Sequence, residues 1–94
     1  MLATKTLDGM IVTSPQIHSG RPVLAGTGTT VRAVAIMYKQ GLSPEEIIGE
    51  LPISLAQVYA ALTYYHLHTD EIEADIRADS EKVLIDRNGQ AING

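Results

Sequence analysis

The sequence predicts a mainly α domain. A short N-terminal β element leads into three consecutive helices, and a fourth helix follows at the C-terminal end. Three observations carry that prediction. Apolar residues recur at helical spacing through TVRAVAIMYKQ, SPEEIIGEL and SLAQVYAALTYYHLH, between Thr30 and His68. Ser-x-x-Glu and Ser-x-x-Gln boxes open the second and third of these segments. Gly41 and Pro52 stand where the first and second must stop.

The elements follow in order. Met1–Thr6 reads as a loose end. Met10–Val12 is a short apolar strand, stopped by Ser14-Pro15-Gln16. Pro22–Ala25 is a second strand between Gly20 and Gly26-Thr27-Gly28, and residues 10–30 together form a β arm. A two-stranded ribbon alone is barely stable, so this arm needs further support. Helix one begins after Thr30, a good N-cap, and Val31, Val34, Ala35 and Tyr38 make its apolar stripe. Helix two is capped by Ser43 with Pro44 at its first position and Glu46 closing the box; Ile47, Ile48 and Leu51 are its expected buried face. Helix three is capped by Ser54 with Gln57. It carries two stripes, Leu55-Val58-Leu62-Tyr65 and Ala60-Tyr64-Leu67, so it should be covered on more than one side. Thr69 opens a fourth helix through Ile72 and Ile76 to about Ala78, or a bent continuation of the third. In KVLIDRNGQAING, Asn88-Gly89 suits a hairpin turn, and a frayed tail is the favoured alternative.

Residues 1–94 therefore form a single domain, with a tri-helical core at 30–68 and a C-terminal helix and tail at 69–94. A short capped helix, a tight break and a second capped helix set the last two rods at a steep angle, in the homeodomain-like helix-turn-helix arrangement. The chain has no cysteine, phenylalanine or tryptophan and four tyrosines. Its core is small, which makes a homodimer the expected assembly. Val12, Val23, Tyr64 and Leu67 are the candidate dimer contacts. No apolar run suggests a leader or a membrane span, and a cytoplasmic location is expected.

The net charge of −4 is divided unevenly. Residues 1–44 hold four cations against one acid; residues 45–94 hold three against ten. A helix-turn-helix reads bases from the start of its second helix. The candidates there are Ser54, Gln57 and Tyr59, with Ala56 between them, and none is charged. Gln57 suits adenine, but closing its capping box is the simpler role. Arg21, Arg32 and Lys39 are the candidate phosphate contacts, against the plain alternative of a solvated helix face.

Other constellations are weaker. Gly26-Thr27-Gly28-Thr29-Thr30 precedes a helix as a phosphate loop does, but lacks the lysine such a loop needs, so a structural turn is expected. His66 and His68 lie two apart and point to different sides of a helix, so no metal site is expected. Asp70, Glu71, Glu73 and Asp75 read as a solvated acidic face or a dock for a basic partner. Nothing supports catalysis, a cofactor or a small-molecule substrate.

From Ile11 to Ile76 the chain resembles a bacterial family, the domain-of-unknown-function family 433, small helix-turn-helix proteins often read as antitoxins. The family's pattern G-x-P-x-I-x-G-T-R-I-x-V runs here from Gly20 to Val31. G-x-S-x-E-E-I matches Gly41 to Ile47. The third helix matches over Leu55 to His68, where Gln57-Val58 and Ala60-Ala61-Leu62 lead into Tyr64-Tyr65 and His68. The resemblance implies neutralisation of a PIN-like nuclease toxin and, for antitoxins of this kind, dimers that bind their own operator DNA. One departure is Gly28, where the family has Arg; it removes a cation from the turn before helix one. The expectation is an antitoxin-like, DNA-binding regulator. The alternative is a protein-interaction module of the same fold that does not bind DNA.

Overall fold

The computed structural model describes residues 9–16 and 18–86. Strands β1 (Ile11–Val12) and β2 (Val23–Leu24) precede helices α1 (Val31–Lys39), α2 (Pro44–Ile48), α3 (Leu55–Leu67) and α4 (Thr69–Asp86). The loose end expected at Met1–Thr6 lies outside the described residues.

The β arm is antiparallel, with Ile11 opposite Leu24 and Val12 opposite Val23. Its support comes from the chain immediately following. The Leu24 amide donates to the Thr29 carbonyl at 2.8 Å, and the Val31 amide to the Pro22 carbonyl at 3.0 Å. β2 is thus paired on both sides, which lets a two-residue strand persist. Between these bonds, Gly26 takes φ +76°, a left-handed value open to a residue without a Cβ. The Thr27 hydroxyl donates to the Leu24 carbonyl at 2.7 Å and accepts from the Thr29 amide at 3.0 Å. The Thr27 and Thr29 amides are consumed inside the loop, so the Gly26–Thr30 segment is a structural turn.

Each of the first three helices starts where its cap dictates. The Thr30 hydroxyl accepts from the Ala33 amide at 3.0 Å. At Ser43 both halves of the capping box form, with Ser43 N–H donating to Glu46 Oε1 at 2.8 Å and Glu46 N–H to Ser43 Oγ at 3.2 Å. The same pair of bonds joins Ser54 and Gln57 at 2.8 and 3.1 Å. Gly41 ends α1 at φ +96°, again where a side chain would be strained. Pro52 lies in the break between α2 and α3, which are two separate rods.

One core unites the parts. Leu24, Val31, Val34, Ala35, Ile47, Val58, Ala61, Leu62, Tyr65 and Ile72 are buried together. α3 packs on α1 and α2, and α4 packs on α1 and α3. Among the described residues no helix is long and apolar enough to cross a membrane.

Four expectations are corrected. Tyr38 lies at the edge of its stripe and is 40% exposed. Ile48 is 39% exposed, because a five-residue helix turns only one apolar position, Ile47, fully inward; Leu51 packs on the core from beyond the helix. Leu67 is 74% exposed although Ala60 on the same stripe is buried, since α4 departs at His68 and leaves that end of α3 uncovered. α4 reaches Asp86 rather than Ala78, so Val83–Ile85 are helical. The Asn88-Gly89 turn lies outside the described residues.

Candidate functional site

The basic and acidic halves of the chain meet across α4. Successive residues of a helix are rotated by about 100°, so Glu73 and Asp75 flank the Ile72–Ile76 seam on opposite sides. Ile72 is 1% exposed and Ile76 partly buried, which seats α4 with this seam inward. Both carboxylates then reach the cations of the N-terminal half.

On one flank, Arg21 Nε donates to Asp75 Oδ2 at 2.7 Å, and Arg32 Nε lies 3.8 Å from the same oxygen. On the other, Lys39 Nζ donates to Glu73 Oε1 at 2.6 Å, and the Tyr65 hydroxyl donates to Glu73 Oε2. Arg32 and Lys39 are seven residues, two helical turns, apart on α1 and therefore share a face. The three residues with phosphate-binding character are thus gathered on one side of the molecule, and two carboxylates of α4 engage all three.

The electrostatics follow from these bonds. Hydrogen bonds from Lys39 and then Tyr65 hold the Glu73 carboxyl below its ordinary range. The bond to Glu73, with burial adding to it, pushes the Tyr65 phenol from 10.0 up to about 12. Burial and the neighbouring Glu71 charge raise Tyr64, whose ring stacks on His68 at 4.2 Å between centroids. Glu46 is lowered by the Ser43 amide, its capping-box donor.

The start of α3 is a different surface. Ser54 is exposed but accepts its capping bond, and the Gln57 side-chain oxygen is taken by the Ser54 amide. Gln57 therefore serves the cap. Tyr59 is 51% exposed. Ala56, Tyr59, Thr63 and His66 recur every three or four residues and form the outward stripe of α3, with Leu67 beside its far end; all five are exposed. The stripe carries no Lys, Arg, Asp or Glu. α2, packed against α3, adds exposed Glu45 and Glu46, and the turn after it adds exposed Glu50.

Of the candidate dimer contacts, Val12 is 47% exposed, Tyr64 half-buried and Leu67 the most open large apolar residue described. Val23 is 4% exposed and belongs to the interior of its own chain. His66 and His68 line a shallow groove with Leu67, Thr69, Asp70 and Glu71, and no group of three or more His, Cys, Asp or Glu side chains suits a metal ion among the described residues.

In the sequence, Glu73 and Asp75 read as part of an acidic cluster, a solvated face or a dock for a basic partner, without the cations they meet. The signal for their role is the charge imbalance between the two halves.

Residues 11–65 match the model of a family described as a protein of unknown function, DUF433. The fold is similar to that in the crystal structure of a DUF433 member protein from Anabaena variabilis ATCC 29413. The TM-score is 0.69 at 22% identity, over 76% of this chain and 71% of that one. No curated protein matches the chain.

Proposed function

This chain belongs to the DUF433 family, and we propose that it is the antitoxin-like half of a toxin–antitoxin pair, acting in the cytoplasm by contact with a PIN-like nuclease toxin rather than by catalysis. The observation that carries this reading is the outward stripe of α3. It leaves Tyr59 51% exposed on a helix face without a formal charge. Such a face offers little to a phosphate backbone. It offers aromatic and aliphatic area to a protein, and tyrosine is among the residues that anchor interfaces. The acids of α2 beside it favour a basic rim on the partner.

The test is co-purification with a PIN-like nuclease encoded beside this chain, with relief of nuclease activity as readout. Tyr59→Ala is expected to weaken the complex by about 30-fold, roughly 2 kcal/mol for an interface anchor. Arg32→Ala should leave it unchanged. The opposite ranking would remove the reading.

Operator binding by the same protein is the second reading, favoured by the convergence of Arg21, Arg32 and Lys39 on one side. A homodimer suits both readings, with Val12, Tyr64 and Leu67 as contacts. Sedimentation of the protein alone checks this. Leu67→Asp should shift a dimer toward the monomer mass, and a monomer at all concentrations in the unaltered protein would discard it.

A further inference from the structure

We infer that α4 is an exchangeable arm, which opens at His68 and docks on the α1–α3 seat of a second copy of this chain, so that each copy supplies Ile72, Glu73 and Asp75 to the other. This specifies how the homodimer proposed above is joined, and it leaves the toxin contact at Tyr59 untouched.

The bend between α3 and α4 differs from the two breaks before it. Gly41 and Pro52 stop their helices by their own backbone chemistry. Between α3 and α4 the one residue outside a helix is His68, at φ −130° and ψ 42°. No glycine or proline occurs from Ser54 to Asp86. The local device at the bend is the Thr69 hydroxyl, which donates to the Tyr65 and His66 carbonyls at 2.9 and 3.2 Å. A threonine bonded back in this way bends a helix without ending it. Helical dihedrals at His68 alone would join α3 and α4 into one rod from Leu55 to Asp86, about 48 Å long at 1.5 Å per residue. The bend is therefore set by the tertiary contacts of α4.

Those contacts are transferable. Asp75 meets Arg21 and Arg32, Glu73 meets Lys39 and Tyr65, and Ile72 enters the common core. Every one of these carboxylates and the seam lie after the hinge, and Arg21, Arg32, Lys39 and Tyr65 lie before it. An arm from a second copy restores each contact with the cations still paired, which is the condition for exchange of an element between copies. The closed and exchanged forms then differ only in the hinge and in what the exchange newly covers. Leu67, next to the hinge, is 74% exposed in the closed chain. On one continuous helix it shares a face with Tyr64, Ala74 and Ala78, with Glu71 among them. Ala74 and Ala78 are exposed as well. Two exchanged copies meet along this face beside their hinges, where Leu67 is covered and the alanines allow close approach.

Complementary charge reversals test the exchange. Lys39→Glu and Glu73→Lys each place like charges together within one chain. In an exchanged pair made of one copy of each, both seats regain an opposite-charge contact. The two variants, one of them isotope-labelled, are mixed in mild denaturant, returned to buffer and weighed by native mass spectrometry. The mixed dimer is expected to exceed its statistical share on the order of 10-fold, from two seats that each lose a like-charge contact and gain a favourable one. Thr69→Pro is expected to be monomeric at all concentrations. Proline suits the first position of α4 but denies a continuous rod its bond to the Tyr65 carbonyl. Far-UV circular dichroism and the high-pH Tyr65 phenol verify that α4 stays seated in that variant, and the charge-reversal mixture decides if it does not fold. A dimer whose mixed form stays at its statistical share overturns the exchange and leaves a side-by-side homodimer standing. So does a folded Thr69→Pro protein that dimerises as the unaltered one does. An unaltered protein that is monomeric at all concentrations overturns both.

Discussion

Ile47→Ala is expected to lower the unfolding free energy by about 3 kcal/mol, within the range of roughly 2–5 kcal/mol for removing most of a buried isoleucine. Ile47 is fully buried among Leu24, Val58, Leu62 and their neighbours. It is also the only buried residue of α2, a helix of five residues. A helix that short has no stability of its own, since nucleation is not repaid below about 12 residues. Its existence rests on the Ser43 box, on Pro44 at its first position and on this one side chain. The loss is large against the roughly 5–15 kcal/mol of a small domain. Ile48→Ala is the control. Ile48 is 39% exposed, so its truncation should cost less than about 1 kcal/mol. Urea denaturation distinguishes them, with a midpoint shift and unchanged slope for Ile47→Ala. Equal costs at the two positions would mean that α2 is not seated as described. Amide exchange should report the same event locally, with protection falling first between residues 44 and 53, which include the break on which the orientation of α3 depends.

That contrast marks what the sequence makes legible. Local devices read directly. Thr30, Ser43 and Ser54 cap, Gly41 and Pro52 stop, and each is an interaction over three or four residues that a pattern can carry. The role of Gln57 was also legible, because a box needs only its own turn. The width of a buried face was not. Ile47 and Ile48 are chemically alike and adjacent, and only the position of α3 decides that one goes in and the other out. Leu67 continues a regular stripe, but where α4 turns away at His68 is a tertiary matter. The pairing of α4 with the basic residues lay furthest from view. Arg21 and Asp75 are 54 residues apart, and Lys39 and Glu73 are 34 apart. No periodicity encodes such contacts. They convert three residues that looked like free phosphate ligands into partners of carboxylates.

Ile72→Ala is the sharper test of that arrangement, because it removes the anchor of α4 without touching a charge. Ile72 is 1% exposed, and its loss should cost about 2–4 kcal/mol. Mean charge pairing alone is too weak to keep α4 in place, at roughly 0–1 kcal/mol for an exposed pair. The helix should therefore loosen from α1 and α3 while the tri-helical core remains. Tyr65 provides the local readout. Its phenol is pushed up to about 12, first because the neutral hydroxyl donates to Glu73 in the folded protein. A phenol raised in this way adds stability that is complete below its ordinary value of 10.0 and is lost as pH climbs through about 12. In Ile72→Ala, Glu73 moves away and the phenolate absorbance of Tyr65 should appear closer to 10.0, and Tyr65→Phe identifies which of the four tyrosines is involved. The dependence of stability on pH between these two values should flatten with it. An Ile72→Ala protein that retains the high-pH phenol and loses less than about 1 kcal/mol would show that the charged contacts, not the apolar seam, hold α4 down.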